Sequence, residues 1–176
     1  MKRICASACL LGAPCRWKGD SKPSAAVLRL AEGAAVRALD AEGARLFPRP
    51  ADAESSDTEI VPFCPELAAG LGCPRPPIEL VADGGRVRAL RVDRAGDATD
   101  ALLAACEAEA NALARAGGVD GFVLKSRSPS CGLAAPLHDS GGREIGAAPG
   151  IWAAFARERF PAADIRDEEG AAGGGR

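Results

Sequence analysis

Seven cysteines and a single histidine make up most of the soft, reactive chemistry in this 176-residue chain. Three of the cysteines stand where an apolar run gives way to a polar turn. Cys9 follows Arg3-Ile-Cys-Ala-Ser-Ala, Cys64 follows Glu59-Ile-Val-Pro-Phe, and Cys131 lies in the turn after Gly121-Phe-Val-Leu124. That last turn, Lys125-Ser-Arg-Ser-Pro-Ser-Cys131-Gly132, combines hydroxyls, two cations, a thiol and a glycine, a mixture no packed core needs. Taken singly, a cysteine is usually a small core residue; three at equivalent ends of apolar runs suit a shared site instead. None forms a CxxC pair, which disfavours a zinc ribbon or knuckle. Cys5, Cys9 and Cys15 do not have the CxxxCxxC spacing of radical SAM enzymes either. Widely spaced thiols, one from each loop, fit a cluster seated in a cleft with a free site. Cys15 is the obvious fourth thiol, as a further ligand or as a nucleophile. Cys106 falls on an apolar helix face and reads as core, while Cys5 and Cys73 carry no signal.

The other candidates each have a plain and a functional reading. Glu66 follows Cys64-Pro, so it is either a carboxylate favoured by a helix N-terminus or a general base held near the thiol. Ser128 and Ser130 flank Pro129; they satisfy turn backbone groups, or Ser128 holds a water or substrate oxygen. Lys125 and Arg127 are solvated loop charges or the cations that balance a thiolate site, and Arg16, Asp20 and Lys22 are ambiguous in the same way. His138 is the only histidine, which disfavours a Cys–His zinc site and a Ser–His triad.

The elements that must position these groups follow from periodicity and punctuation. Strands are expected over residues 2–8, 59–63 and 119–124, with a loop from Gly12 to Pro23 long enough to bind something. Ser24 is expected to cap a helix to about Glu32 that resumes through Val36, Leu39 and Leu46. Ile78–Val81 and Val87–Val92 read as a hairpin across Asp83-Gly84-Gly85. The longest helix, about Ala98–Ala116, should bury Leu102, Leu103, Cys106, Ala110, Leu113 and Ala114. After a short extended piece near Leu137-His138, a helix should run from about Gly150 to Arg159, and Asp164–Arg166 should add an edge strand. The grammar is α/β: a single domain over residues 1–167 with a mainly parallel open sheet flanked by helices, a β-hairpin and a surface insertion at about 33–58. Residues 168–176 read as a disordered tail. In such sheets ligands bind beyond the carboxyl ends of the strands, where Cys9, Cys64 and Cys131 all stand.

Composition bounds the partners. A net charge of −2 argues against a general binder of nucleic-acid backbone. No apolar run approaches the roughly 18 residues of a membrane span. The start, Met-Lys-Arg-Ile-Cys, precedes too short an apolar stretch for a secretory signal, which needs roughly 7–15 apolar residues. The expected setting is therefore the reducing cytoplasm, where an odd number of thiols is not a disulfide framework.

Three blocks resemble the signature stretches of one family, in order. They are Ser7-Ala-Cys9-Leu-Leu-Gly12 with Cys15-Arg16; Cys64-Pro-Glu66 followed by Gly70-Leu71 and Pro74-Arg75-Pro76; and Lys125-Ser-Arg-Ser128-Pro-Ser-Cys131-Gly132. They look like those of the small thiouracil desulfurase (TudS-like) family, and the likeness covers most of residues 2–160. It implies a 4Fe-4S cluster held by three cysteines with the fourth iron open, and a non-redox desulfuration of a thiolated pyrimidine such as thiouracil. Carried over by motif, the implied ligands are Cys9, Cys64 and Cys131, and the implied catalytic pair is Glu66 and Ser128. Trp17-Lys18, Cys73 and the insertion depart from the family pattern, the first two at the border of the implied substrate cleft.

The implied chemistry stands on physical grounds. Thiolate-bound iron is thiophilic and can take up a thiocarbonyl sulfur, while Glu66 deprotonates a water held by Ser128 that attacks the carbon. Sulfide is left on the open iron and the oxo base is released. The partner is then a small thiolated heterocycle. Two rivals remain: a binding module with a structural zinc, and a sulfurtransferase carrying a persulfide on Cys15 or Cys131.

Overall fold

The computed structural model describes residues 1–37 and 57–172. In chain order the elements are β1 (Lys2–Ser7), a 3-10 turn (Ala8–Leu11), α1 (Ala25–Ala31), β2 (Ala35–Val36), β3 (Thr58–Phe63) and α2 (Pro65–Ala68). There follow β4 (Ile78–Asp83), β5 (Arg86–Arg91), α3 (Thr99–Arg115), β6 (Gly121–Leu124), β7 (Ala135–His138), β8 (Glu144–Ala148), α4 (Ile151–Arg159), β9 (Asp164–Asp167) and α5 (Glu168–Ala172).

The main sheet is parallel throughout, in the order β2-β3-β1-β6-β9. Its three central strands bury both faces, and alternation sorts their side chains. Cys5 of β1, Val61 and Phe63 of β3, and Phe122 and Leu124 of β6 face one core with α3 and α4. Ile4 and Ala6, Ile60, and Val123 face the other, against Val27 of α1. Trp152 of α4 anchors the first core, edge-on to Phe63 at 4.9 Å and to Phe122 at 5.7 Å. Since β1 lies between β3 and β6, all three strands deliver their carboxyl ends to one edge.

The expected α/β architecture, with its parallel sheet and flanking helices, is present, and several local expectations are corrected. Ser24 occupies the N-cap position of α1 but makes no side-chain cap hydrogen bond. Val36 belongs to an edge strand paired with β3, not to a resumed helix; Leu39 and Leu46 lie outside the described residues, as does most of the expected insertion. On α3, Leu103 is exposed and Ala105 is buried with Leu102, Cys106, Ala110 and Leu113. Ala114 is likewise exposed. The hairpin β4–β5 is not a lone appendage, because β7 pairs with β4 and β8 with β7, giving a second, mixed sheet in the order β5-β4-β7-β8. The segment expected to begin a disordered tail instead forms α5, with Glu168 tied to the Lys125 turn. Among the described residues no helix is long and apolar enough to cross a membrane.

Candidate active site

At the carboxyl edge of the main sheet lies a cavity of about 350 Å³. Cys9, Cys15, Cys64 and Cys131 line it, with Glu66, Ser128, Lys125, Arg16, Trp17 and the apolar side chains of Phe63 and Ile78. The three strand-end cysteines and both members of the expected catalytic pair, Glu66 and Ser128, therefore border one cavity. His138 does not; it sits on the second sheet with its Nδ1 3.3 Å from the Leu80 carbonyl oxygen.

Each thiol is fixed by the loop that carries it. Cys9 lies in the 3-10 turn directly after β1, and its carbonyl accepts the Lys22 amide at 2.9 Å, folding the loop back over the site. Cys64 holds the N-cap position of α2, where Pro65 at the first helical position needs no amide partner. Cys131 sits in a turn built around Ser128, whose Oγ accepts the amides of Cys131 at 3.1 Å and Ser130 at 3.3 Å. The same turn rests on the start of α4: Gly150, Ile151 and Trp152 donate their amides to the carbonyls of Gly132, Pro129 and Ser130. That approach leaves no room for a side chain at Gly150, where a Cβ would come within 2.7 Å of the Ser130 backbone.

The thiols influence one another. Hydrogen bonding with Cys64 and Cys9, together with burial, pushes the Cys15 pKa far up, and Cys64 Sγ donates to the Cys15 carbonyl at 3.8 Å. The hydrogen bond from Cys15 holds Cys9 below its ordinary value against burial, helped by Lys125 and Arg16. Cys64 is likewise lowered, by Cys15 first and then, against burial, by the Leu67 amide at the helix start. Burial pushes Cys131 well up, partly offset by a hydrogen bond with Ser7. Ser7 also accepts the Lys125 amide at 2.9 Å, so one hydroxyl links β1 to the third loop.

Glu66 is held at both oxygens. Oε2 accepts from Arg75 Nε at 2.6 Å and Oε1 from Ser130 Oγ at 2.5 Å. Lys125 points its ammonium to Glu168 Oε1 at 2.5 Å and to Ser126, and those contacts hold Glu168 below the usual carboxylate range against its burial. Arg75, Ser7 and Glu168 are the residues sequence reasoning did not assign. Arg75 and Ser7 stand in the family's blocks, but nothing in the sequence gives either a role. Glu168 lies in the stretch that reads as a disordered tail.

The arrangement defines a class: a parallel α/β protein whose strand-end cleft joins several thiols to a fixed carboxylate and a hydroxyl, a donor set for soft metal and polar chemistry together. The chain belongs to the 2-thiouracil desulfurase family, whose model matches residues 4–168. Among solved structures it is similar to the 4Fe-4S-dependent thiouracil desulfidase TudS, with a TM-score of 0.64 and 28% identity over 96% of this chain and 92% of that one. No curated protein sequence gives a significant match.

Proposed function

We propose that the protein replaces the sulfur of a thiolated pyrimidine such as thiouracil with oxygen from water, without net electron transfer. The observation that carries the reading is the convergence of Cys9, Cys64 and Cys131 with Glu66 and Ser128 on one cavity. Membership of the family and the likeness to a cluster-dependent desulfidase support it.

The donor set fits a 4Fe-4S cluster. Thiolates are the ligands such clusters take, and Lys125, Arg16 and Arg75 border them, each also paired with a carboxylate, Glu168, Asp20 and Glu66 in turn. Among the described residues no three His, Cys, Asp or Glu side chains form a group for a single metal ion. Cys9, Cys64 and Cys131 would hold the cluster. When bound, it supplies a thiophilic Lewis acid for the substrate sulfur.

The chain's own residues do the rest. Trp17 borders the cavity and offers an indole wall for a flat heterocycle, with Lys18 Nζ 4.9 Å from the ring centroid. Phe63 and Ile78 exclude water from the deeper wall. Both lone pairs of Ser128 Oγ face backbone amides, so its hydroxyl proton is the part left to donate, toward a water or substrate oxygen. Glu66 keeps acceptor capacity on each oxygen beyond its two partners and takes the proton of the attacking water. The carbon gains the water oxygen and loses sulfide, which leaves with the two protons.

A persulfide on Cys15 would need a reachable thiol; Cys15 borders the cavity but is only 2% exposed, which favours the desulfurase reading over that one. The reading places the protein in the reducing cytoplasm, where thiol ligands stay reduced. The test is anaerobic reconstitution followed by sulfide-release assays with 2- and 4-thiouracil. Expected are a brown iron-loaded protein and sulfide release that stops on iron chelation. Release that continues in iron-free protein would overturn the reading.

A further inference from the structure

Ser130 and Ser128 occupy one turn but have different surroundings. Ser128 lines the cavity, whereas Ser130 is 1% exposed and directs its hydroxyl backward to Glu66 Oε1 at 2.5 Å. The opposite oxygen of Glu66 is held by Arg75, itself 7% exposed. Every arm of that guanidinium is used: Nε on Glu66 at 2.6 Å, Nη1 on the Gly72 carbonyl at 2.8 Å and Nη2 on the Cys15 carbonyl at 3.0 Å. The Arg75 amide adds a bond to the Trp17 carbonyl at 2.9 Å. One continuous chain, Ser130–Glu66–Arg75–Cys15, thus crosses all three cysteine loops and ties the carboxylate to the loop that carries the indole wall.

We propose that Arg75 and Ser130 are the positioning residues of Glu66, fixing the angle at which its carboxylate faces the cavity and the distance from it to the Trp17 wall. The assignment rests on the reading of Glu66 as the base. Two opposed partners clamp a carboxylate against rotation about its last bond, and a planar guanidinium reaches the carboxylate and two carbonyls from three separate nitrogens held in one rigid plane. Lysine keeps the charge and three donors but gathers them on a single nitrogen, so it does not reproduce that fixed span.

The experiment compares Ser130→Ala, Arg75→Lys and Glu66→Gln in reconstituted protein of matched iron content. Ser130→Ala and Arg75→Lys are expected to lower kcat about tenfold or more with KM within twofold, as misplacement of a reacting group does. A second readout needs no activity. In the cluster-free chain, the infrared carboxylate band obtained as wild type minus Glu66→Gln should move when the same subtraction is made in the Ser130→Ala background. An unchanged kcat together with an unmoved band would overturn the assignment, as would a rise in KM alone, which would mean substrate contact. Should Arg75→Lys fail to fold, Ser130→Ala decides by itself. Glu66→Gln separates the two ideas: full turnover in that variant sinks the base, while a dead Glu66→Gln beside fully active Ser130→Ala and Arg75→Lys sinks only the positioning.

Discussion

At the scale of single residues, four thiols line one cavity where the proposed cluster needs three. Cys15 differs from the others in its place, since it lies in the loop beyond the 3-10 turn and not at a strand end, and Cys64 and Cys9 beside it push its pKa far up. Cys15→Ala is therefore expected to retain close to the wild-type iron content after reconstitution, whereas alanine at Cys9, Cys64 or Cys131 should lose most of it; iron and acid-labile sulfide per chain decide between them. Trp17 is 40% exposed and borders the site, so Trp17→Ala should fold normally and raise KM roughly tenfold with little change in kcat, the scale of one lost base-stacking contact. An unchanged KM would remove the indole from the substrate wall. The convergence of Cys9, Cys64 and Cys131 is legible in the sequence because Cys9 and Cys64 each end an apolar run and Cys131 lies in the polar turn that follows one, which is a local signal. The role of Arg75 is not legible, because two of its partners, the Cys15 and Trp17 carbonyls, belong to the first loop, which only the fold brings alongside.

At the scale of elements, what holds the third cysteine loop is a helix end. The first amides of α4 have no partner within the helix, and they are spent on the carbonyls of Pro129, Ser130 and Gly132. The contact depends on the bare backbone of Gly150, and Gly132 is just as tight, with a Cβ there coming 2.8 Å from the Ser128 amide nitrogen. Gly150→Ala should cost roughly 3 kcal/mol of stability through this overlap, and should also lower cluster retention because Cys131 rides on the displaced turn. Urea melts of the cluster-free chain and iron content after reconstitution check the two parts separately. Elements with strong period and flanking turns, β1, β3, α3 and the β4–β5 hairpin, are visible in the sequence. Gly84 and Gly85 both take positive φ there, at 55° and 82°, as a two-residue hairpin turn requires. The strand β8 is not visible, because Glu144–Ala148 carries small, mostly exposed residues and owes its conformation to pairing with β7. The two-residue β2 depends in the same way on β3.

At the scale of the whole molecule, the sheet has a chemical end and a structural end. Opposite the thiols, Arg3 of β1 binds Glu59 of β3 at 2.5 Å and the carbonyls of Ala116 and Gly118 at 2.7 Å each, while its amide donates to Asp120 at 2.6 Å. Arg37 reaches the second oxygen of Glu59 at 3.0 Å through Nε. This network joins β1 to β3 and to the turn between α3 and β6, so it sets the register that aligns the three cysteine-bearing strand ends at the far edge. Burial raises the Glu59 pKa, but the two arginines outweigh it and hold the carboxyl below its ordinary value. A depressed folded-state pKa means the stabilisation is complete above the unfolded value of about 4.3 and is lost as pH falls through the lower folded value. The wild-type chain should thus lose stability as pH drops below about 4, and Glu59→Gln should flatten that slope while being weaker at neutral pH. Arg3→Met leaves a mostly buried carboxylate with one partner and should cost roughly 2–3 kcal/mol at pH 7. Urea melts of the cluster-free chain between pH 7 and pH 3 measure both effects, and an acid slope unchanged by Glu59→Gln would show that other carboxylates govern it. Because the network touches none of the cavity residues, kcat of the folded, iron-loaded Glu59→Gln variant at pH 7 should match the wild type: the amino edge sets how long the sheet stays assembled, and the carboxyl edge sets what it does.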